Sequence, residues 1–223
     1  MIDYATAREN MIESQVRPNG ITDTGVIDAM ADVPREVFVP ETVSSLAYMD
    51  EDVPLATGSN GRKRYLMEPM AFARMLQAAA IKPEDCVLDV GCATGYSSAV
   101  LSRLAQLVVA VEDVSDLADA ANENLLRLEI NNVAVFNSAV NEGHRAEAPY
   151  DVIIINGRAE QVPEALLAQL ADGGRLVAVV GDTDTAQALV YTKANDVVAS
   201  RYVFDATIPV LPGFEKTEPG FVF

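Results

Sequence analysis

Two periodicities divide the chain. Over residues 4–34 apolar positions recur at helical spacing, interrupted at "RPNG" (17–20). The second piece, "TDTGVIDAMADVP", can start at Thr22 or Asp23 as a cap and must stop before Pro34. Residues 38–60 keep no period and are punctuated by Pro40, Pro54 and Gly58, so they read as irregular. "PMAFARMLQAAA" then opens with Pro69 at a favoured first helical position and restores the helical spacing. From residue 86 the texture changes to short β-branched runs: "CVLDV", "LVVAVE", "VAVFN", "DVIIIN" and "RLVAVV". These are apolar at nearly every position, as strands covered on both faces should be. Between them lie helical "YSSAVLSRLA" and "SDLADAANENLLRLEI", a polar connection, and "VPEALLAQL". Strands that alternate with helices predict βαβ units and a doubly wound, mostly parallel sheet. After residue 182, "QALVYTKA" and "VVASRYVF" meet at "NDV", a hairpin signal. The expectation is an α/β fold of about seven strands that ends in an antiparallel hairpin. An N-terminal helical and substrate-loop segment (1–80) packs on the core (81–223) as one structural unit.

Charge narrows the function. With 16 Lys and Arg against 33 Asp and Glu, the net charge is −17. A field of that sign repels phosphate, which argues against nucleic acid and against an acidic membrane surface. No apolar run reaches the eighteen or so residues of a membrane helix. The N-terminus "MIDYATAREN" lacks the apolar stretch of a signal peptide, and the expected location is cytoplasmic. Two cysteines, Cys86 and Cys92, and one histidine, His144, form no metal knuckle, so no metal is expected. His144 in its polar connection reads as solvated.

One loop carries candidate chemistry. "VLDVGCATGYSSAVL" follows the first strand of the series and opens a helix. Gly91 and Gly95 bracket a tight turn whose backbone can approach a ligand closely, and the helix N-terminus adds free N–H groups. Glu112, twenty-one residues after Gly91, ends the next strand, where an acid can accept both hydroxyls of a ribose. The loop reads G-x-A-x-G with Ala93 in the middle, a tighter form than G-x-G-x-x-G. It favours a ligand without pyrophosphate whose amino-acid end rests near the glycines, and S-adenosylmethionine fits that description. Cys92 in this loop reads as packing rather than as a reactive thiol. Tyr96 reads as helix packing with a contact to the methionine moiety.

Over most of its length the chain resembles the protein-L-isoaspartate O-methyltransferase family. The resemblance rests on "MADVPREVFVPE" (30–41), "DEDVPLATG" (50–58), "VLDVGCATGYSSAVLSRL" (87–104), "VVAVE" (108–112), "APYDVIIIN" (148–156) and "VPEALLAQLADGGRLVAVVG" (162–181), in the family's order. It implies a Rossmann-like fold and methyl transfer from S-adenosylmethionine to a carboxylate of a damaged aspartyl residue. It also implies a cofactor site of Gly91, Cys92, Ala93, Thr94, Gly95, Tyr96, Glu112, Asp113, Ser138, Ala139 and Asn156.

The chain departs from the family around this pocket. The catalytic loop, approximately G-Q-T-I-S-Q-P, is replaced by Lys63, Arg64, Tyr65, Leu66, Met67, Glu68 and Pro69. Met67 stands where the family has the serine that positions the isoaspartyl carboxylate, and a thioether cannot donate a hydrogen bond. The G-D-G after the third strand becomes Ser138, Ala139 and Val140, and the small-residue segment after the fourth becomes "NGRAE", with Asn156 and Arg158 expected near the methyl. The candidate substrate residues are Arg62, Arg64, Tyr65, Met67, Glu68 and Arg158. Arg62 and Arg64, with Arg158, form a cationic clamp for an anionic acceptor, or else surface charges paired with Glu51, Asp52 or Glu68. The expected partner is a carboxylate-bearing protein, peptide or small molecule; sequence leaves the oligomeric state unknown. Two other readings stay beside the enzyme: a catalytically silent cofactor-binding relative acting as a regulatory or interaction protein, and, less suited to the terminal hairpin, a nicotinamide-dependent oxidoreductase.

Overall fold

The computed structural model describes residues 2–57, 63–182 and 186–216. Helix α1 (Tyr4–Met11) starts at Asp3, whose carboxylate accepts from the amides of Ala5 and Thr6, donors that the first turn cannot use internally. The helix runs on through a π-helical turn (Ile12–Val16) and a 3-10 turn (Arg17–Asn19) and stops at Gly20, φ 80°. Helix α2 (Thr24–Asp32) is capped in the same way by Asp23, which accepts from Gly25 and Val26, and ends before Pro34.

Residues 38–57 are less irregular than their sequence predicts. Two 3-10 turns (Arg35–Phe38 and Glu41–Leu46) lead to β1 (Val53–Thr57), which pairs antiparallel with β2 (Lys63–Leu66). Part of the supposed catalytic loop is therefore a strand. Along β2, Lys63 is exposed, Arg64 buried, Tyr65 half-buried and Leu66 buried. That is strand alternation with a cation at an inward position, which a search for apolar periods passes over. Helix α3 (Pro69–Ala79) begins at Pro69 as expected and ends at Ala80, φ 47°.

The second half builds one seven-stranded sheet. Its strands are β3 (Cys86–Val90), β4 (Leu107–Glu112), β5 (Val133–Asn137), β6 (Tyr150–Ala159), β7 (Leu170–Val180), β8 (Gln187–Ala194) and β9 (Val197–Asp205). The order is β5-β4-β3-β6-β7-β8-β9, parallel from β5 to β7 and antiparallel beyond. Helices α4 (Tyr96–Leu101), α5 (Ser115–Arg127) and the short α6 (Glu164–Leu167) connect the parallel strands. The predicted terminal hairpin is present. Asn195 and Asp196 take φ 49° and 62°, the pair of positive values that a two-residue turn between right-twisted strands requires.

One buried cluster joins Met11, Val16 and Met30 to Phe72 and Leu76 of α3 and to Val87, Val152 and Val177 on one face of the sheet. Leu88, Val109, Ile153 and Leu176 form the core on the other face. The chain goes outward from β3 to β5 and then returns to β6 beside β3. Where the strand order reverses, the carboxyl ends of the strands leave a crevice. Gly91, Glu112 and Asn156 all stand there. Among the described residues no helix is long and apolar enough to cross a membrane.

Candidate functional site

The Gly loop needs its backbone. Gly91, Ala93 and Gly95 have φ of 75°, 49° and 94°, all in the left-handed region. Gly95 also sits against α5: a β-carbon there would lie 3.1 Å from Ala121 Cβ. The Gly91 amide donates to Val111 O at 2.8 Å, which lays the loop across the end of β4. Thr94 serves the scaffold, its hydroxyl donating to Phe38 O at 2.5 Å. Tyr96 packs edge-on against Phe38, with the Arg35 guanidinium 4.7 Å from its ring centroid, and also lines the cleft. Cys92 is buried, and burial pushes its thiol well up, so it is a packing residue and no nucleophile at neutral pH.

Glu112 is completely buried at the end of β4. Its Oε2 accepts from the Ala93 amide at 2.9 Å and its Oε1 from the Val114 amide at 3.0 Å. Arg64 completes the shell. Its Nη2 lies 2.5 Å from each carboxylate oxygen, its Nε 3.2 Å from Oε1, and Nη2 stands 3.4 Å from Asp113 Oδ1. Burial pushes the Glu112 carboxyl up, and Arg64 and the two amides oppose it. The sequence placed Arg64 outward, toward an acceptor or on Glu51, Asp52 or Glu68. The structure places it inward on Glu112 instead, because β2 alternation buries position 64.

The other expected cations separate. Arg62 lies outside the described residues. Arg158 is buried away from the cleft lining: it donates to Ile208 O at 3.3 Å and Gly181 O at 2.7 Å, and its backbone bonds to Pro209 and Leu211. It is a clasp for the segment after β9 rather than a methyl-side group.

Arg64, Tyr65, Met67, Gly91, Ala93 and Asn156 line a cleft of about 340 Å³, open mouth included, together with Asp52, Lys63, Gly157 and the run Ile208–Pro212. A second, narrow hollow continues past Phe72, Cys92, Tyr96 and Ser97. Leu66 and Met67 are buried and line it. Glu68 is not in the lining. It is half-buried, and burial together with Asp52, Asp50 and Glu51 pushes its carboxyl up to about 7.

Two features escaped the sequence reading. Asp89 is an acid within the apolar run of β3, fully buried, accepting from Ser97 Oγ at 2.7 Å, Ser98 Oγ at 2.5 Å and the Asn156 side-chain amide. Burial raises its carboxyl while those three donors oppose. It ties Asn156 and the start of α4 to the end of β3, and a lone acid in an otherwise buried strand was its signal. The second feature is Ile208–Pro212, an apolar run with two prolines that carries no pattern of its own. His144, expected in solvent, is half-buried and stacked on Phe136 with 3.9 Å between ring centroids.

These residues suit a nucleoside bearing a short amino acid. Glu112 fixes a carboxylate at the strand end, here held by Arg64, the loop gives close backbone approach, and the buried Ser138 hydroxyl has no partner among the described residues. Ala139 beside it is exposed and has no polar side chain.

Known proteins agree on the family. A family model described as "Protein-L-isoaspartate(D-aspartate) O-methyltransferase (PCMT)" matches residues 6–210. The chain is 42% identical over 180 residues to a protein-L-isoaspartate O-methyltransferase of Rhodopseudomonas palustris, covering 81% of this chain and 80% of that one. It is 39% identical over 174 residues to one of Methanoculleus marisnigri, covering 78% and 77%. Among solved structures, a protein titled protein-L-isoaspartate O-methyltransferase superposes with TM-score 0.82 at 24% identity, covering 93% of this chain and 67% of that one. A Plasmodium falciparum protein titled a putative member, in complex with S-adenosyl-L-homocysteine, gives TM-score 0.78 at 23% identity and covers 96% and 100%. Both show the same fold.

Proposed function

Because the chain belongs to the protein-L-isoaspartate(D-aspartate) O-methyltransferase family, we propose that its cleft holds S-adenosylmethionine on Gly91–Gly95 and Glu112 and serves a carboxylate acceptor. It is an S-adenosylmethionine-dependent methyltransferase. The acceptor and the role of each residue are our reading. The observation that carries the cofactor site is Glu112, buried at a strand end and bonded to the Ala93 amide of the Gly loop.

The cofactor, when bound, supplies a methyl group on a sulfonium that brings its own leaving group. Glu112 accepts the ribose hydroxyls, with Asp113 at the rim. The Ser138 hydroxyl, without a partner among the described residues, would hold the base. Gly91 and Ala93 admit the amino-acid end to their backbone. Met67, Tyr65 and Asn156 flank the methyl side, and the buried Leu66 and Met67 exclude water there. No general base is required, because a carboxylate acceptor is ionised at pH 7. The protein's task is to align acceptor oxygen and methyl carbon at about 3 Å, which supplies several kcal/mol. Lys63 brings positive charge to the cleft of a protein whose net charge of −17 would otherwise repel that acceptor.

The test uses S-adenosylmethionine labelled in its methyl group, with an isoaspartyl peptide and a pool of small carboxylates. We expect S-adenosylhomocysteine to form and label to enter an ester that releases methanol in alkali. Label that resists alkali, on nitrogen or carbon, overturns the carboxylate acceptor. Absence of turnover across the pool, with cofactor bound, rejects this acceptor class.

A further inference from the structure

Glu112 has more claimants than lone pairs. A carboxylate offers about four acceptor sites. The Ala93 amide takes one on Oε2 and the Val114 amide one on Oε1. Arg64 takes what is left, with Nη2 on both oxygens and Nε on Oε1. A ribose diol would need those same two positions, one on each oxygen.

We propose that Arg64 is an internal competitor of the cofactor's ribose, so that nucleoside binding and release of the β2 arm from Glu112 are one event. The inference rests on the assignment of Glu112 as the ribose acid. Arg64 is only 3% exposed, and a guanidinium that loses its carboxylate cannot stay buried without a partner. Asp113 is a second acid, already 3.4 Å away. The rest of the side chain's reach is the cleft that Lys63, Arg64 and Tyr65 line. Displacement therefore turns Arg64 from a plug on the ribose acid into a cation at the acceptor's side, and it makes cofactor binding precede acceptor binding. An arginine serving only to neutralise Glu112 would predict the opposite response to its removal, since its loss would leave the acid poorer at holding any ligand.

S-adenosylhomocysteine binding, measured by calorimetry near pH 7.5, separates the two. Arg64→Ala and Arg64→Met, the second keeping the apolar stem, should each bind at least tenfold more tightly than the natural protein. Adenosine, which lacks the amino-acid end, should gain by a similar factor. Equal or weaker binding in the variants overturns the competition and leaves the cofactor assignment standing. If S-adenosylhomocysteine binds neither the natural protein nor the variants, the cofactor assignment and the competition fall together. A measurement on the natural protein guards against variants that do not fold. Exchange of the Arg64 Nε proton, followed by nuclear magnetic resonance, should quicken at least hundredfold on saturation with S-adenosylhomocysteine. Protection retained in the complex overturns the proposal.

Discussion

Gly157 and Leu211 stand so close that a β-carbon on Gly157 would lie 2.8 Å from Leu211 Cβ and 3.3 Å from its backbone nitrogen. Gly157 also sits at φ 151°, where a side chain is strained. Gly157→Ala should lower stability by about 2 kcal/mol or more, from strain and overpacking together. It should also weaken S-adenosylhomocysteine binding, because Leu211 lines the cleft. Urea unfolding checks the first and calorimetry the second; an unchanged midpoint would mean the two segments are not in contact.

The Arg64–Glu112 pair is open to a double-mutant cycle. Glu112→Ala strands a buried guanidinium and should cost about 3–5 kcal/mol. Arg64→Met in the same background should recover part of that loss, giving a coupling of about 2 kcal/mol between contacting residues. Separately, Glu112→Ala deprives ribose of its charged acceptor, about 1.5–3 kcal/mol or roughly ten- to a hundredfold in affinity. Strict additivity in stability would show that the two side chains do not meet.

Glu68 makes stability depend on pH in a defined direction. Its carboxyl is raised from an ordinary 4.5 to about 7, first by burial and then by Asp52, Asp50 and Glu51. Between those values the folded protein keeps a proton that the unfolded chain has lost. The contribution therefore destabilises the fold progressively as pH rises from 4.5 to 7, and is constant outside that window. Glu68→Gln should flatten this part of a melting-temperature profile and raise stability most at its upper end. A variant curve parallel to the natural one would contradict the assignment.

Met67 bears on the acceptor. With no hydroxyl at this position, an isoaspartyl peptide should turn over well below about 1 s⁻¹, a slow rate for an enzyme. Met67→Ser should raise that rate without making it ordinary, since Arg64 and Tyr65 also differ from the family's loop. Steady-state assays decide; turnover by the natural sequence at about 1 s⁻¹ or faster would refute the reading.

The sheet was legible because its strands are long apolar runs between glycine, asparagine and helix signals, and even the turn at Asn195–Asp196 was marked by residue type. The shape of the Gly loop was legible for a similar reason: its positive φ at Gly91 and Gly95 favours glycine. The arm was not. β1 contains Pro54, and β2 is four residues long with Arg64 facing inward, so its alternation resembles a basic turn. The partner that pulls Arg64 inward is Glu112, forty-eight positions away, and no local pattern connects them. Arg158 failed for the same reason, its carbonyl partners being Gly181 and Ile208. Long-range polar pairing is invisible to periodicity, which registers only what faces the core.

Arg35 gives a remote segment leverage over the cleft. Its guanidinium, fully buried, donates to Ala47 O at 2.6 Å and Met67 O at 2.5 Å. A planar fork cannot stretch, so the spacing between those two carbonyls is fixed by one side chain. Ala47 follows the 3-10 turn Glu41–Leu46, a stretch absent from the cleft lining. A substitution that tilts this turn would move the Met67 backbone with it, and methyl-group alignment would change although no residue touching the substrate had been altered.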